Sequence, residues 1–564
     1  MRDRIENLLS KIIVSGTHIK ISVPERTEYG HYSTNVALRA AKAEKKNPIE
    51  VAKNIAVAIR ENSPKGFFEK VEVAAPGFVN FWLSKKVLRD ELLDIQKNIK
   101  SFGESPRKKG KTVIMEYSQP NIAKKMHVGH LRTTVLGDTL ANIFEYIGYK
   151  VVRWNYIGDW GTQFGKLIAA YKMWGDDAAI KANPIDELQK LYVRFHDEMK
   201  KDASLEDRGR EEFRKLEEGD GENRKLWEWF KKESLKEFNR AYEVLGVKFD
   251  TFIGEAFFEK DMKPLVEELS SRGILERSEG SLIIKLDTFG LPPALIEKAD
   301  GASLYLARDI AGLRYRIKKY KPEKILYVVG NEQSLHFDQL FAIAKLLGIE
   351  GAELMHIKYG LVLGEGGKKL ATREGRTVLA DEVIAKSVDL AKEIVSKKNA
   401  ELNEKEKNKI AEAVGIGAVK YANLKENRHS DIVFDWAKML DFTGDSAPYL
   451  QYTYTRLQSI LVKAGRVKKT DFQKLSSEVE FHIIRKLIEF PDELVRSAEG
   501  YAVNNIANYA YTLANLLNKF YESTPILKEE NTERRAALLG LIEASAAVLQ
   551  KALSILGIKT LERI

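Results

Sequence analysis

The chain has 564 residues, with 91 Lys and Arg against 81 Asp and Glu, so its formal net charge is +10. This length predicts about four domains, and 44% apolar residues exclude global disorder. Because cysteine is absent, a disulfide scaffold, a Cys-ligated metal site and a thiol nucleophile are excluded. The N-terminus lacks a signal-peptide pattern, and charges interrupt the apolar stretch 536–558, so we expect a cytoplasmic protein without a membrane span.

Basic residues gather in three segments, 107–111, 314–324 and 463–469. One interpretation is an ordinary solvated surface rich in Lys and Glu. The other is a polyanion partner, because Lys and Arg displace the condensed counterions of a nucleic acid. Composition alone does not choose between them.

The first hundred residues have the pattern of a small α/β unit. A capping Asn followed by Pro at 47–48 is a typical helix start. Residues 71–83 form two β-rich runs separated by a Pro-Gly pair. The basic, glycine-containing stretch 102–111 is interpreted as a linker.

The next segment predicts a parallel sheet. The apolar run 113–117 is a predicted strand, a helix follows at 129–147, and 150–156 is a second strand. Strand–helix–strand units of this kind build doubly wound sheets of the Rossmann type. Strand signals at 281–286 and 325–329, each followed by a helical pattern, continue this domain.

Residues 175–240 are highly charged and helix-like, which indicates an insertion. From about residue 400 to the end, the apolar residues recur almost only with a helical period, which predicts an all-α domain. The fold class is therefore multidomain α/β, with a small α/β N-terminal domain, a Rossmann-type doubly wound parallel-sheet domain and an all-α C-terminal helical bundle. The predicted segments are the N-terminal domain 1–105, the two halves of the sheet domain 106–174 and 256–355, a connective helical insertion 175–255, a loop region 356–400, and the all-α domain 401–564.

Two histidines flank a glycine at the predicted start of the long helix: His127, Gly129 and His130. A helix start offers free N–H groups and a positive dipole end, which suits phosphate. Gly129 lets a ligand approach the backbone closely, and paired imidazoles can donate to the oxygens of a transferring phosphate. Two surface histidines or a metal pair remain open for these residues taken alone.

The surroundings of the histidines closely resemble a known active-site motif. The segment 116–132, EYSQPNIAKKMHVGHLR, and the run 155–165, NYIGDWGTQFG, are similar to those of arginyl-tRNA synthetases. These are class I aminoacyl-tRNA synthetases with a Rossmann-type catalytic domain. The resemblance implies that His127 and His130 are catalytic and that both bind ATP together with Gly129.

A glycine-rich basic loop, GEGGKKLATREGRT, occupies 364–377. Taken alone, it is either a solvated hairpin or a loop that closes over a polyphosphate. By resemblance it takes the place of the KMSKS loop of class I synthetases, which assigns Lys369 and Arg373 to ATP. The second lysine of that loop is replaced by Thr372, and the resemblance implies that Lys124 compensates for it. It thus implies that Lys124 and Lys369 are catalytic residues that contact pyrophosphate, and that 356–400 comprises this loop and a stem-contact region.

A guanidinium substrate needs planar acceptors, preferably carboxylates. Tyr305 and Asp309 are four residues apart and share a face of a helix, although an exposed pair is the alternative. The resemblance implies that both contact the substrate arginine, with Asp309 on its guanidinium, and that Gln333 also contacts it. It implies that three further residues hold the amino-acid end: Glu116, Ser118 and Asn121.

Contacts with tRNA are predicted in two other regions. The run 442–452, FTGDSAPYLQY, resembles the family's anticodon-binding domain. The N-terminal unit resembles the family's additional domain, in which Phe78 and Asn80 match positions that cradle a D-loop base; a structural turn is the alternative. The candidates for stacking on unpaired bases, each with a core role as its alternative, are Tyr449, Tyr452 and Tyr454.

The function implied by the resemblance is an aminoacyl-tRNA ligase that joins L-arginine to the 3′ end of tRNA-Arg through arginyl-adenylate. ATP is consumed, Mg²⁺ is expected with ATP, no structural metal is expected, and the first step is expected to need bound tRNA. A monomer is expected. Three alternatives remain: a different class I synthetase, a non-enzymatic RNA-binding relative, and a generic nucleotidyltransferase.

Overall fold

The computed structural model describes residues 1–13, 17–24, 26–105, 108–297, 305–364, 378–465 and 470–563. Its N-terminal unit is an antiparallel sheet covered by helices, with the strand order β1-β2-β4-β3. Its strands are β1 (Ile21–Ser22), β2 (Tyr32–Thr34), β3 (Phe68–Ala74) and β4 (Phe78–Leu83). Its helices are α1 (Arg2–Ser10), α2 (Val36–Glu44), α3 (Pro48–Asn62) and α4 (Lys85–Lys97). The side chain of Asn47 caps α3, as predicted, by accepting a hydrogen bond from the Ile49 N–H.

The central region alternates strands and helices. Its strands are β5 (Thr112–Glu116), β6 (Lys150–Trp154), β7 (Leu275–Ser278), β8 (Ser281–Ile284), β9 (Ala294–Glu297), β10 (Lys324–Gly330), β11 (Glu353–Tyr359) and β12 (Val362–Leu363). Its helices are α5 (Val128–Tyr146), α6 (Thr162–Trp174), α7 (Asp177–Ala182), α8 (Pro184–Met199), α9 (Ser204–Glu217), α10 (Gly221–Leu245), α11 (Glu259–Ser271), α12 (Tyr305–Tyr320) and α13 (Ser334–Leu346).

Four of these strands form the predicted parallel sheet, in the order β11-β10-β5-β6. Residues of β5 point alternately to two cores: Val113 and Met115 pack in one, and Ile114 packs in the other with α11, α12 and α13. A parallel sheet needs both faces covered, which explains the continuous apolar run. The fold class is confirmed. The direction of winding reverses between β5 and β10, where ligands bind in folds of this type.

The strand predicted at 281–286 has different neighbours. β8 pairs antiparallel with β7 and β9 in a separate three-stranded sheet, and another strand follows it instead of the predicted helix. The physical reason is the tight turn at Glu279 and Gly280, whose φ angles are 48° and 83°. Two residues in this conformation join antiparallel strands in a hairpin, whereas parallel strands need a long crossover.

The C-terminal region is a helical bundle that contacts both other units. Its elements are α14 (Ala380–Lys398), α15 (Glu404–Leu424), β13 (Ile432–Val433), α16 (Trp436–Met439), α17 (Ala447–Ala464), α18 (Glu478–Gly500), α19 (Asn504–Ser523) and α20 (Thr532–Ile555). By length and composition α20 passes for a membrane span, but 72% of its most apolar window is buried inside the protein. α4 packs on α18 and α20, and α5 packs on α14, α15, α18 and α20.

Candidate active site

The two histidines lie at the first turn of α5 and bind its backbone. The N–H of Gly129 donates to Nδ1 of His127 at 3.0 Å, and the N–H of His127 donates to Nδ1 of His130 at 3.1 Å. Because both Nδ1 atoms accept, each ring carries its proton on Nε2, which is a hydrogen-bond donor. A Cβ at position 129 would lie 2.9 Å from the His127 ring, so glycine is required there.

His130 is a neutral donor over the physiological pH range. Burial, together with the smaller effects of the charges of His127 and Lys124, lowers its pKa to about 3. A low pKa keeps the ring from taking up a proton, so the tautomer fixed by the backbone persists.

These histidines open into a cavity of about 350 Å³ at the carboxyl end of the parallel sheet. One wall is the start of α5, and the other is the segment that follows β10. This is the position where the winding reverses, between β5 and β10. The lining residues are Ser118, Gln119, His127, Val128, Gly129, His130, Arg132, Thr133, Gly330, Glu332, Gln333, Tyr359, Gly360, Leu361 and Val362.

The loop between β5 and α5 holds backbone strain. Ser118, Gln119 and Ala123 have φ angles of 78°, 52° and 59°, and they are three of the seven described non-glycine residues with positive φ. Such conformations persist where the surrounding packing imposes them, often at functional sites. The hydroxyl of buried Ser118 bonds to those of Tyr242 and Thr134 at 2.7 and 2.8 Å. These hydrogen bonds hold Ser118 at the cavity wall in its strained conformation.

Asn121 joins the two segments that carry the family resemblance. The N–H of Ile122 donates to the carbonyl of Gly158 at 3.1 Å, and the N–H of Gly158 donates to the carbonyl of Pro120 at 3.1 Å. A Cβ at position 158 would lie 2.0 Å from Oδ1 of Asn121. This close approach explains the glycine. Asn121 does not belong to the cavity lining.

The glycine-rich loop lies largely outside the described residues, and with it Lys369, Thr372 and Arg373. Its two ends are described and meet the histidine segment. β12 lines the cavity on one side, and on the other the N–H of Val128 donates to the carbonyl of Val378 at 3.1 Å. Both ends are thereby held beside the cavity.

Lys124 contacts the helical insertion. Its Nζ lies 5.0 Å from the centroid of the Tyr192 ring on α8, and burial lowers its pKa. The neighbouring Lys125 forms an ion pair with Asp186, at 2.5 Å, at the start of the same helix. Lys124 does not line the cavity, so its predicted contact with pyrophosphate stays a prediction.

The acceptor predicted for the guanidinium has a histidine partner. Asp309 on α12 bonds through Oδ2 to Nε2 of His336, at 2.6 Å, in the first turn of α13. Burial lowers the pKa of His336, but the hydrogen bond and the charges of Asp309 and Glu116 outweigh it and raise the pKa above 6.5. Gln333, just before α13, lines the cavity. Tyr305 begins α12, and its side chain lies outside the described part of the chain.

Glu116 is the last residue of β5, and its buried carboxylate contacts two other side chains of the protein. Nε2 of Gln119 donates to its Oε1 at 2.8 Å, and Nη2 of Arg316 pairs with its Oε2. Burial raises the pKa of Glu116, and Arg316 opposes this effect. Its predicted contact with the amino-acid end of the substrate stays a prediction.

Sequence reasoning missed three groups on this side of the site. Arg316 and His336 hold the two predicted acidic residues. Glu255 is 7% exposed, its Oε2 has no hydrogen-bond partner among the described residues, and burial raises its pKa to about 8. The charge of Asp309 acts on that pKa in the same direction as burial, so the two carboxyls are within electrostatic range of each other. Asp309 and Arg316 are seven residues apart, so they share a face of a helix. This spacing is the one sequence pattern that could have indicated Arg316 as a neighbour of the site.

An aromatic groove lies on the C-terminal bundle, in a cavity of about 780 Å³. The guanidinium of Arg456 lies 4.8 Å from the ring centroid of Tyr452 and 4.7 Å from that of Tyr521. Tyr452 is 38% exposed. Tyr449 is half-buried and donates to Oδ1 of Asn515 at 2.6 Å, and Tyr454 is a core residue, 7% exposed.

The two residues predicted to cradle a tRNA base lie on β4. Asn80 is 5% exposed and accepts a hydrogen bond from the Ser33 hydroxyl at 2.7 Å. Phe78 is half-buried at the first position of the strand. Their predicted role stays a prediction.

Three family models match the chain. They are "tRNA synthetases class I (R), catalytic domain" over residues 93–436, "DALR anticodon binding domain" over 450–564 and "Arginyl tRNA synthetase N terminal domain" over 1–83. The arginine–tRNA ligase of Clostridium botulinum strain Alaska E43 is 42% identical over 96% of this chain and 95% of its own length. The arginine–tRNA ligase of Halothermothrix orenii is 41% identical over 100% of this chain and 98% of its own length.

Solved structures agree over the full length. The arginyl-tRNA synthetase of Plasmodium falciparum superposes with a TM-score of 0.81 at 25% identity, covering 100% of this chain and 99% of its own. The Thermus thermophilus arginyl-tRNA synthetase has the same fold, with a TM-score of 0.84 at 24% identity and complete coverage of both chains. Together with the family models and the full-length relatives, these findings show that the chain belongs to the arginyl-tRNA synthetases, a family of class I tRNA synthetases.

Proposed function

We propose that this chain activates L-arginine with ATP and transfers the arginyl group to the 3′ end of tRNA-Arg. One observation carries the proposal: the cavity lined by His127 and His130 reaches Gln333, one helical turn from the His336 that holds Asp309. Phosphate donors and a guanidinium acceptor are thus adjacent at the carboxyl end of one parallel sheet. Activation of arginine needs both groups at one place.

In the first step, an oxygen of the arginine carboxylate attacks the α-phosphorus of ATP. The bond from that phosphorus to the bridging oxygen breaks, and pyrophosphate leaves. His127 and His130 donate Nε2–H hydrogen bonds to phosphate oxygens as charge grows on them. Lys369 and Arg373, on the loop whose ends flank the cavity, bind the pyrophosphate part. Lys124 adds a third cation when it leaves Tyr192.

The arginine side chain binds at a pair of carboxyls. Asp309 accepts two of the five guanidinium N–H groups. Glu255, whose Oε2 has no hydrogen-bond partner within the described ranges, accepts another. Tyr305 and Gln333 complete the predicted contacts, and Ser118 and Asn121 hold the amino-acid end. A neutral or shorter side chain leaves buried carboxyls unpaired, so it is rejected by roughly 10⁴-fold without a separate editing site.

In the second step, a hydroxyl of the terminal ribose of tRNA attacks the arginyl carbonyl, and AMP leaves. The groove formed by Tyr452, Arg456 and Tyr521 takes unpaired anticodon bases, since base stacking on aromatic and guanidinium planes suits any sequence. Phe78 and Asn80 on the N-terminal unit, and Tyr449 beside the groove, are the further tRNA contacts we propose. Activation requires the bound tRNA.

Magnesium accompanies ATP in this proposal. Glu332 is the single acidic residue among the described cavity lining, and the described residues contain no group of three His, Asp or Glu able to hold a metal. Mg²⁺ bound with ATP would take phosphate oxygens and water as most of its ligands, with Glu332 as the nearest acidic side chain of the lining, and would neutralise phosphate charge. We also propose a monomer that acts in the cytoplasm.

The proposal is tested by arginine-dependent ATP–pyrophosphate exchange, measured with and without tRNA-Arg and repeated with each of the other amino acids. Exchange that needs both arginine and tRNA is the expected result. Preference for another amino acid would point to a different class I synthetase. Tight tRNA binding without any exchange would point to an RNA-binding relative.

A further inference from the structure

One of the protein's own arginines lies beside the pocket proposed for the substrate arginine. Arg316 is 2% exposed and follows Asp309 by seven residues on α12, so the two side chains share a face of the helix. Its guanidinium pairs with Glu116. A resident guanidinium beside these carboxylates is chemically identical to the substrate's side chain and is thus a competitor for Asp309.

A row of residues across three strands holds this guanidinium. Glu116 on β5 is in register with Trp154 on β6 and with Tyr327 on β10. The guanidinium carbon of Arg316 lies 4.5 Å from the Trp154 ring centroid and 5.5 Å from that of Tyr327. Nη1 donates to the Tyr327 hydroxyl at 3.2 Å. Aromatic faces attract a cation, especially one removed from water.

Glu116 is the charged member of that row. Gln119 and Arg316 engage its two oxygens, so the charges of Glu116 and Arg316 cancel within the protein. Asp309 is close enough for its charge to raise the pKa of Glu116, behind the larger effect of burial. Nε of Arg316 has no hydrogen-bond acceptor among the described residues. The guanidinium therefore keeps a donor that can turn to another carboxylate.

We propose that Glu116 and Arg316 are positioning residues, and that Glu116 holds Arg316 away from Asp309 so that Asp309 stays available to the substrate guanidinium. This role rests on the proposed function, because it takes Asp309 as the substrate's acceptor. It differs from a direct contact between Glu116 and arginine. Loss of Glu116 alone creates an internal competitor, whereas loss of both residues removes the competitor as well.

The test compares Glu116→Gln with the double variant Glu116→Gln/Arg316→Met in tRNA arginylation at saturating ATP and tRNA. We expect Glu116→Gln to raise the KM for arginine by about tenfold or more, with kcat changed by less than about threefold. The double variant is expected to have a KM at least about threefold lower than that of Glu116→Gln, because the competing guanidinium is gone. Arg314→Met is the matched control, since Arg314 is on the same helix and binds Glu268 instead.

A KM in the double variant as high as in Glu116→Gln would overturn the proposal, because Glu116 would then contact the substrate itself. If Glu116→Gln does not fold, as judged by circular dichroism, the same comparison is made between Glu116→Ala and Glu116→Ala/Arg316→Met. A KM at least about threefold lower in the double variant supports the proposal, and equal KM values overturn it. A wild-type chain without arginine-dependent charging would instead remove the proposed function.

A second readout separates competition from a general structural defect. Citrulline has a neutral ureido group in place of the guanidinium, so Arg316 at Asp309 should harm arginine binding more than citrulline binding. The ratio of the inhibition constant of citrulline to the KM for arginine should fall about tenfold in Glu116→Gln and recover in the double variant. An unchanged ratio in Glu116→Gln would overturn the proposal.

Discussion

The two halves of the candidate site are built in different ways. The histidine half comes from one contiguous segment, in which His127, Gly129 and His130 fix each other through backbone hydrogen bonds at a helix start. The arginine half is assembled from distant segments, with Asp309 on α12 and His336 on α13. A contiguous site carries its geometry in its own motif, whereas a dispersed site depends on how the whole sheet packs.

The halves also handle charge differently. Burial keeps His130 neutral, so this ring offers an oriented donor and adds no charge before phosphate arrives. The arginine half places its ionisable groups in pairs, Glu116 with Arg316 and Asp309 with His336. Buried charges are costly unless paired, so a substitution in this half should disturb binding before it disturbs the chemical step. Substitutions in each half can test this difference.

The largest effect is expected in the histidine half. His130→Ala removes a donor to the phosphate, so kcat should fall about 10²-fold or more, the scale of one transition-state donor. The KM for arginine should change little, because the guanidinium site is intact. Pyrophosphate exchange gives both constants. His130 also accepts from the His127 N–H, so a melting curve must accompany the assay, and an unchanged kcat would take His130 out of the chemistry.

A second variant tests the arginine half. Asp309→Ala should raise the KM for arginine about 30-fold or more, because the guanidinium loses its charged acceptor, while kcat changes less. Arg314→Ala on the same helix is the matched control and should leave the KM unchanged. If Asp309→Ala lowered only kcat, the guanidinium would bind elsewhere and the contrast between the halves would fail.

A Lys124 variant tests whether this residue belongs to the histidine half. Lys124 is close to the motif in sequence, but its side chain lies against Tyr192. If it moves to the pyrophosphate, Lys124→Met should lower kcat about tenfold, less than loss of His130. Its neighbour Lys125 pairs with Asp186, so Lys125→Met is a control expected to keep kcat. Equal kcat values for the two variants and the wild type would leave Lys124 with a packing role.

This contrast explains what the sequence could and could not predict. The strand, the glycine and the helix start around His127 are local, so their pattern predicts β5, α5 and the histidine geometry. The neighbours of Glu116 come from residues 38 to 211 positions away, Trp154, Arg316 and Tyr327. No local pattern encodes that register. The same limit applies to β8, whose pairing depends on a turn and not on its own apolar residues.

The smallest effect is a pH dependence confined to the arginine half. The pKa of His336 is raised above 6.5, because Asp309 and Glu116 outweigh the effect of burial. Below that raised pKa, the imidazolium of His336 pairs with Asp309 and competes with the substrate guanidinium; above it, the neutral ring competes only as a hydrogen-bond donor. The KM for arginine should therefore fall by several-fold, up to about tenfold, as pH rises through this pKa. His336→Asn should weaken the pH dependence of the KM for arginine. The pH dependence of the KM for ATP should stay the same. A slope that survives in His336→Asn would assign the titration to another group. Glu255 is the first candidate, because its pKa is raised to about 8 and it belongs to the same half of the site.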